Sequence, residues 1–423
     1  MSPVATYRHL ISLTGPAYVV VAFFGRLPLA MSQLGTLLLV AGSTGSYAAG
    51  GASAGALAIA NAVSAPIGGA LADRFGQRLV VVVQSIGGAC GLVAVVWLSS
   101  SGAGWPLLAG VAAVAGFLLP QVGPLARVRW RPITEQRADA APPARLVDAA
   151  FSYEGAADEA SFVLGPALVG AAVSLASPGA ALLLAAAVLA VFGTWFAVHP
   201  TADLTRRDAT SSHHGPTPLP TGSLVILAFA QLTIGMVFGS VQTGTTVLAT
   251  AADQPGATGL LHALLGVGSV LAGLGVAALP ERFGYERRLV VFAAALFVLA
   301  LPLLVVDALG TLSGALLLLG FAVAPYMITV FTLAERVTPR RRVGAAMSLL
   351  AGATGLGYAV GSSVAGRLAD WNGHTPAFAV TVSAGLLATL LATAASSRLA
   401  RVQRSAGAAS SPTQAQSRTA SSA

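Results

Sequence analysis

A short charged turn occurs twice in this chain, at nearly the same place in each half. The first copy is Gly68-Gly-Ala-Leu-Ala-Asp-Arg-Phe-Gly-Gln-Arg78, and about 208 residues later comes Ala278-Leu-Pro-Glu-Arg-Phe-Gly-Tyr-Glu-Arg-Arg288. Both copies lie between long apolar runs, and both are followed by Leu-Val-Val. A repeat spaced by about half the chain indicates two related halves. In a membrane protein, two halves with one path between them are typical of a transporter.

The composition places these apolar runs in a membrane. Hydrophobic residues make up 55% of the chain and charged residues only 9%, whereas a soluble domain carries about 25% charged residues. All 23 basic residues are arginine, which together with the abundant alanine and glycine suggests a GC-rich bacterial genome. The arginines lie in short turns between apolar runs, so the positive net charge does not indicate a nucleic-acid partner.

Twelve apolar stretches are close to the length that a helix needs to cross the bilayer, which is about 20 residues. Only helices can cross in such number, because every backbone polar group must be bonded internally. We therefore predict an all-α polytopic membrane protein with twelve transmembrane helices in two six-helix halves. The predicted spans, numbered one to twelve, are 14–40, 46–71, 79–99, 105–126, 148–174, 179–199, 221–249, 257–278, 289–306, 311–334, 344–368 and 376–396. The halves are 1–200 and 221–397, joined by a cytoplasmic linker at 201–220 and followed by a disordered cytoplasmic tail at 398–423.

The arginines test this topology because they favour the cytoplasmic side of a membrane. Apart from Arg26 and Arg367, which fall inside predicted spans, every arginine lies in a loop or terminus on one side. The opposite loops, such as 42–46 and 99–105, contain none. The sequence therefore predicts a multi-pass protein of the bacterial cytoplasmic membrane with both termini in the cytoplasm.

The two halves, the central linker and the charged turn resemble the major facilitator superfamily, over about residues 8–400. That family's motif A, G-x-L-x-D-R-x-G-x-R/K, is matched after span two by Gly69, Leu71, Asp73, Arg74, Gly76 and Arg78. The resemblance implies that this cluster gates the cytoplasmic side, with Asp73 meeting the start of span eleven near Gly344. A carboxylate suits a helix start, where N–H groups and the helix dipole attract an anion, and a glycine lets helices approach closely. The matching gate positions in the second half are Glu281, Arg282 and Gly284; the alternative is a turn that only orients the chain.

A third copy of this turn, Gly366-Arg-Leu-Ala-Asp-Trp-Asn-Gly373, ends span eleven on the opposite side and repeats the frame of residues that begins at Gly69. Inverted repeats of three helices would produce this pattern, and chance similarity in an Ala- and Gly-rich chain is the alternative. Arg367 and Asp370 are i,i+3 neighbours on one helix. They are a candidate gate pair on the outer side, unless Arg367 only reaches towards the membrane interface.

Span five contains Gly165, Pro166 and Gly170, which partly match the G-P-x-x-G-G of motif C in drug–proton antiporters of this family. Proline removes a helix hydrogen bond, so we expect Pro166 to kink the span. The resemblance implies efflux, as in multidrug resistance. These antiporters also carry a buried arginine in span four, but the predicted span four here has no charged residue, which leaves the coupling mechanism open.

Arg26 is the most costly residue to place in the membrane, at about 2.5–3.5 kcal/mol for an arginine in mid-helix. Span five offers Glu154, Asp158 and Glu159 as partners. Spans one and five run in the same direction, and at about 1.5 Å per residue Arg26 and Glu159 lie at matching depths. We predict Glu159, or else Asp158, as the partner of Arg26 and as the proton-coupling site. The alternative is that span five starts later and leaves both acids at the cytoplasmic interface.

Candidate residues of a substrate cavity are polar side chains inside otherwise apolar spans, namely Gln33, Gln231, Gln242 and Tyr326. A mostly apolar lining favours a small amphipathic substrate. The sequence shows no nucleotide-binding motif, metal cluster or nucleophile–base pair, and the adjacent His213 and His214 are only a weak metal signal. We therefore expect that the protein binds no cofactor and no metal and is not an enzyme. We predict a monomeric secondary active transporter in the lipid bilayer that exports a small molecule by alternating access, coupled to protons. The alternatives are an uptake symporter or sugar-type permease and, from another class, a polytopic membrane transferase.

Overall fold

The computed structural model describes residues 3–137, 143–206, 221–276, 283–338 and 343–409, and within them every regular element is a helix. In the first half, spans one to six are Pro16–Phe24 with Leu27–Thr44, Tyr47–Phe75, Gln77–Ser100, Trp105–Phe117 with Val122–Arg137, Pro143–Leu175, and Pro178–Val188 continued by the π-helix Leu189–Gly193 and by Thr194–Val198. In the second half, spans seven to twelve are Thr221–Ala251, Ala257–Val276, Tyr285–Ala300 with the 3-10 helix Leu301–Leu304, Leu309–Val337, Val343–Asn372 and His374–Ala409. The helix Pro3–Thr14 precedes span one, and the 3-10 helix Pro200–Arg206 follows span six.

Ten helical stretches of the described residues are long and apolar enough to cross a membrane. Span eight contributes a shorter apolar stretch, Ala257–Gly273, and span eleven is a helix of 30 residues. Many large apolar side chains point outward, such as Trp97 at 67% and Leu79 at 59% exposure. Such an apolar surface suits lipid rather than water. The predicted fold class, an all-α polytopic membrane protein, is confirmed.

Both ends of span two are set by local backbone chemistry. Gly45 has a φ of 67° and closes span one in the left-handed conformation that glycine adopts without strain. Ser46 follows as the N-cap of span two, and its hydroxyl accepts a hydrogen bond from the N–H of Ala49. At the other end Gly76, with a φ of 87°, separates span two from span three without any further loop residue. Span two therefore joins the two membrane faces with tight turns at both ends.

The two halves meet along two helix pairs, span two with span eleven and span five with span eight. In the first pair, a methyl group at Gly51 would collide with the carbonyl oxygen of Ser362. In the second pair, a methyl group at Gly259 would collide with the carbonyl oxygen of Pro166. These glycines bring the backbones of the halves into direct contact. We call this line of contact the seam.

The seam is closed at one membrane face and open at the other. We call the face that carries Arg74 and Arg78 the arginine-rich face, and the opposite one the arginine-poor face. Gly69 follows Gly51 by 18 residues, or five helical turns, so both glycines point in the same direction. Among the described residues, nothing lies within 4 Å of the position of a Cβ atom at Gly69. Spans two and eleven are therefore in tight contact near the arginine-poor face, and this tight contact is missing at Gly69 near the arginine-rich face.

Span four differs most from its predicted extent of 105–126. Its first helix ends at Phe117, and a second helix runs from Val122 to Arg137. The break contains Pro120, which has no N–H to continue the helical ladder. Asn61 of span two compensates, because its Nδ2 donates to the carbonyl oxygens of Gly116 at 3.1 Å and Leu119 at 3.0 Å. The helical stretch that contains the candidate membrane span runs from Trp105 to Thr134.

Span twelve is longer than the boundary predicted at 397. The helix continues to Ala409, so the first part of the segment predicted as a disordered tail is helical. This extension is rich in alanine and arginine, which are good helix formers. Of the predicted linker at 201–220, the structure describes only the end of the 3-10 helix Pro200–Arg206.

Candidate functional site

A cluster of charged side chains lies between spans one, four and five. Arg26 sits at the break in span one, and its side chain is only 4% exposed. Its guanidinium forms one ion pair with Glu154 and a second with Asp158, at 2.9 Å between Nε and Oδ1. Asp158 also pairs with Arg127, at 2.6 Å between Oδ2 and Nη2. These members contribute two cations and two anions, so their charges balance.

The cluster has a sealed end and an open end. The side chain of Glu154 is 0% exposed, and its Oε1 accepts a hydrogen bond of 2.5 Å from Trp130 Nε1. The side chains of Asp158 and Arg127 are 28% and 32% exposed. Glu154 is therefore enclosed and held by two partners, whereas Asp158 is partly exposed.

The structure brings Asp158 to Arg26, as its second-choice partner from the sequence. The side chain of Glu159, the first choice, lies outside the described residues. Depth within the membrane does not single out Glu154, because the predicted starts of spans one and five are uncertain by about a helical turn. The missed signal is spacing: Glu154 and Asp158 are i,i+4 neighbours and share one helix face, so both reach the same arginine.

Span four contributes two arginines that the sequence analysis assigned to the cytoplasmic loop. The predicted span four ends at residue 126, and Arg127 and Arg129 lie just beyond it on the helix Val122–Arg137 that continues it. Arg129 is fully buried. Its Nε donates to Gln77 Oε1 at 2.8 Å and its Nη1 to the carbonyl oxygen of Phe196 at 2.9 Å, with the guanidinium stacked 3.7 Å above the Phe196 ring centre. Arg129 thereby ties the motif A turn to spans four and six.

The remaining motif A residues lie around the turn between spans two and three. Arg74 and Arg78 are exposed, and the guanidinium of Arg74 lies 5.2 Å from the Phe75 ring centre. The structure does not describe the side chain of Asp73 or its expected contact at Gly344. Glu281 and Arg282 also lie outside the described residues, and Gly284 is the N-cap of span nine. The close helix approach expected at Gly69 is not found among the described residues, since nothing there lies within 4 Å of a Cβ position at Gly69.

At the arginine-poor end of the seam, Asp370 of span eleven contacts the start of span two. Its Oδ1 accepts from the N–H of Tyr47 at 2.7 Å, and its Oδ2 accepts from the Ser46 hydroxyl at 2.7 Å and the N–H of Ala48 at 3.1 Å. No ion pair with Arg367 is found among the described residues, and Arg367 is exposed. The candidate pair of Arg367 with Asp370 is thus replaced by a contact between the two halves, because a helix start offers the carboxylate more donors than one neighbouring arginine.

Of the motif C residues, Pro166 and Gly170 lie along the seam, whereas Gly165 contacts span one within the first half. Gly165 faces Ala30 of span one, and Gly170 faces Gly256 and Gly259 of the second half. The helix of span five is continuous through Pro166. The motif therefore provides the small residues through which span five contacts span eight.

The candidate cavity residues differ in how they are used. Gln242 Oε1 accepts from the Tyr358 hydroxyl at 2.6 Å, and Gln242 Nε2 lies 3.2 Å from His262 Nε2. The Tyr326 hydroxyl donates to the carbonyl oxygen of Ala230 at 2.9 Å. These side chains connect spans seven, eight, ten and eleven. Of the other two, Gln33 is partly exposed, and the fully buried amide of Gln231 has no hydrogen-bond partner among the described residues.

Comparison with known proteins bears on the whole chain. The family model of the Major Facilitator Superfamily matches residues 17–309 and 227–420. Similar solved structures include the nucleoside transporter NupG, with 17% identity, a TM-score of 0.65 and coverage of 91% of this chain and 99% of that chain. The human organic anion transporter MFSD10 (TETRAN) has 19% identity, a TM-score of 0.59 and coverage of 89% and 99%. The inward open conformation of the xylose transporter XylE from E. coli has 15% identity, a TM-score of 0.61 and coverage of 89% and 95%. No curated protein matches the sequence, and at these identities the structural likeness concerns the fold.

Proposed function

The chain belongs to the major facilitator superfamily, and from that premise we propose that it is a proton-coupled exporter of a small amphipathic compound. Membership makes it a multi-pass membrane transporter rather than an enzyme. The observation that carries the proposal is the charged cluster, with one carboxylate sealed at Glu154 and the other open to water at Asp158. A transporter that exchanges a proton for a substrate needs one group that can gain and lose a proton and a neighbour that responds to its charge.

Asp158 is the proton site in this proposal. It bridges Arg26 and Arg127, so both of its ion pairs require the ionised carboxylate. A proton on Asp158 would remove the negative charge that holds Arg127 in place. Arg26 would stay paired to Glu154, so the sealed end of the cluster would be unchanged. Protonation of Asp158 would thus free Arg127 and leave the ion pair between Arg26 and Glu154 in place.

We place the arginine-rich face in the cytoplasm, following the sidedness of the arginines. The conformation described above then opens inward, and in it Asp158 is ionised because it has released its proton to the cytoplasm. In the outward-open conformation the same carboxylate would take up a proton from the outside. The motif C match, of which Pro166 and Gly170 lie along the seam, supports export. The uncharged polar groups of the second half, such as Gln231, suit an amphipathic substrate.

The test is transport in proteoliposomes under an imposed pH gradient, with a panel of cationic and neutral amphipathic dyes. We expect dye to move against the proton flux. Asp158→Asn should abolish the pH-driven movement and retain dye binding, while Asp307→Asn, an exposed acid away from the cluster, should behave like the parent.

The experiment tests the identity of the proton site and the direction of dye transport separately. Normal coupling in Asp158→Asn together with loss of coupling in Glu159→Gln would move the proton site to Glu159. Normal coupling in both variants would reduce the cluster to a structural tie. Movement of the dye together with protons would assign symport in place of export.

A further inference from the structure

We propose that Asp370 is the latch that keeps the arginine-poor end of the seam closed, and that its contacts with the start of span two must break before the transporter opens to that face. The proposal rests on the alternating-access function given above and adds the residue that controls one of its two gates. It is carried by the contacts of a single carboxylate that joins the two halves of the protein.

The carboxylate of Asp370 completes the N-terminus of a helix in the other half. The first turn of a helix has N–H groups without partners inside the helix. Ser46 satisfies the N–H of Ala49 from within span two, and Asp370 satisfies those of Tyr47 and Ala48 from span eleven. The helix dipole adds attraction for a negative charge at this position. Without Asp370, the start of span two would lose two of its backbone partners and a partner of the Ser46 hydroxyl.

The latch lies at the end of the tightest part of the seam. Directly beside it, a methyl group at Gly366 would collide with the carbonyl oxygen of Tyr47. One turn before Gly366 in span eleven, the Ser362 hydroxyl donates to the Gly51 carbonyl oxygen at 3.0 Å. Spans two and eleven cannot separate here while Asp370 holds Ser46, Tyr47 and Ala48. Opening towards the arginine-poor face therefore has to break all three hydrogen bonds.

The repeated frame explains why an aspartate occupies this position. Span two and span eleven are antiparallel, so the last turn of each lies beside the first turn of the other. Asp370 stands in span eleven where Asp73 stands in span two, at the fifth position of the frames that begin at Gly366 and Gly69. The two aspartates occupy matching positions at opposite ends of the same helix pair, as an inverted repeat would place them.

Cysteine reactivity of the purified protein in detergent tests the latch without substrate, pH gradient or knowledge of membrane orientation. The natural cysteine, Cys90, is exposed and is first replaced by alanine. Ser362→Cys then reports on the seam, because Ser362 is fully buried against span two. Ser240→Cys is the matched reporter, since Ser240 is equally buried but bonded to Thr381 inside the second half.

We expect Asp370→Asn to raise the rate of maleimide reaction at Ser362→Cys about tenfold, the ratio that corresponds to ~1.4 kcal/mol. Ser46→Ala, which removes one of the three contacts, should give a smaller rise, and Asp307→Asn on the same face should give none. The reaction at Ser240→Cys should stay at the parent rate. Equal rates at Ser362→Cys in parent and Asp370→Asn would overturn the latch. A parallel rise at Ser240→Cys would also overturn it, because that result means general loosening of the fold.

Discussion

Replacing Arg26 by methionine measures how far the structure depends on the buried end of the charged cluster. Methionine keeps much of the side-chain volume and removes the charge. Glu154 would then be a carboxylate with 0% exposure whose remaining described partner is Trp130. Asp158 would keep Arg127 and its access to water. Removing one partner of a buried ion pair costs about 3–5 kcal/mol, so we expect that order of destabilisation for Arg26→Met.

Two further variants make this number interpretable. Arg127→Met breaks the exposed pair with Asp158, and such pairs are worth about 1 kcal/mol or less. Arg26→Met combined with Glu154→Gln removes both charges of the sealed pair, so it should recover most of the stability lost in the single variant. The measurement is the thermal midpoint in one detergent at one scan rate, because unfolding of such a protein is irreversible. Equal shifts for Arg26→Met and Arg127→Met, or no recovery in the double variant, would refute this account of the cluster.

Other predictions concern the topology, the seam and the inner gate. Single cysteines at Ser43 and Ser101, in loops on the arginine-poor face, should react with an impermeant reagent from outside intact cells. A cysteine at Ser212, in the linker, should not react, and its labelling would contradict the topology. Gly259→Ala should impair folding or transport because its methyl group meets the Pro166 carbonyl oxygen, whereas Gly275→Ala, with nothing within 4 Å, should not; equal yields and transport rates would count against a tight seam. Asp73→Asn should increase cysteine accessibility from the arginine-rich face, by removing an anion worth about 0.3–1 kcal/mol at a helix start; unchanged accessibility and transport would argue against a gate.

The fold could be predicted because its signals are long and repeated. Each span is an apolar run of about twenty residues, and the arginines mark alternate loops, so errors of a few residues at each end did not alter the count. Span four is the instructive exception. The helix Val122–Arg137 continues beyond the predicted end at residue 126, because an arginine in a sequence window indicates a loop rather than a helix. The window contains no information about Asp158, which lies on another span and compensates that charge.

The contact of Asp370 could not be predicted for a related reason. Within one helix, the spacing of Arg367 and Asp370 made them natural partners. The choice between that arginine and the start of span two depends on which helix of the other half lies alongside span eleven. The glycines at 51 and 366 determine this packing, and their close contacts are visible only in three dimensions. The repeated frame did indicate that the aspartate had a role, but it did not identify the partner.

The ion pairs found among the described residues all lie in the first half. In the first half, the described cluster around Arg26 consists of charges. In the second half, the buried polar groups in mid-span are neutral, as in Gln231 and the connected Gln242, His262 and Tyr358. If the proton acts at Asp158 and the substrate is held by neutral groups across the cavity, neither ligand touches the other's site directly. Coupling then has to pass through the seam, where span five contacts span eight and span two contacts span eleven. Because glycines at the seam leave no room to slide, a change at Asp158 can be transmitted only by separating these pairs at one face and closing them at the other, which is the movement that the latch at Asp370 opposes.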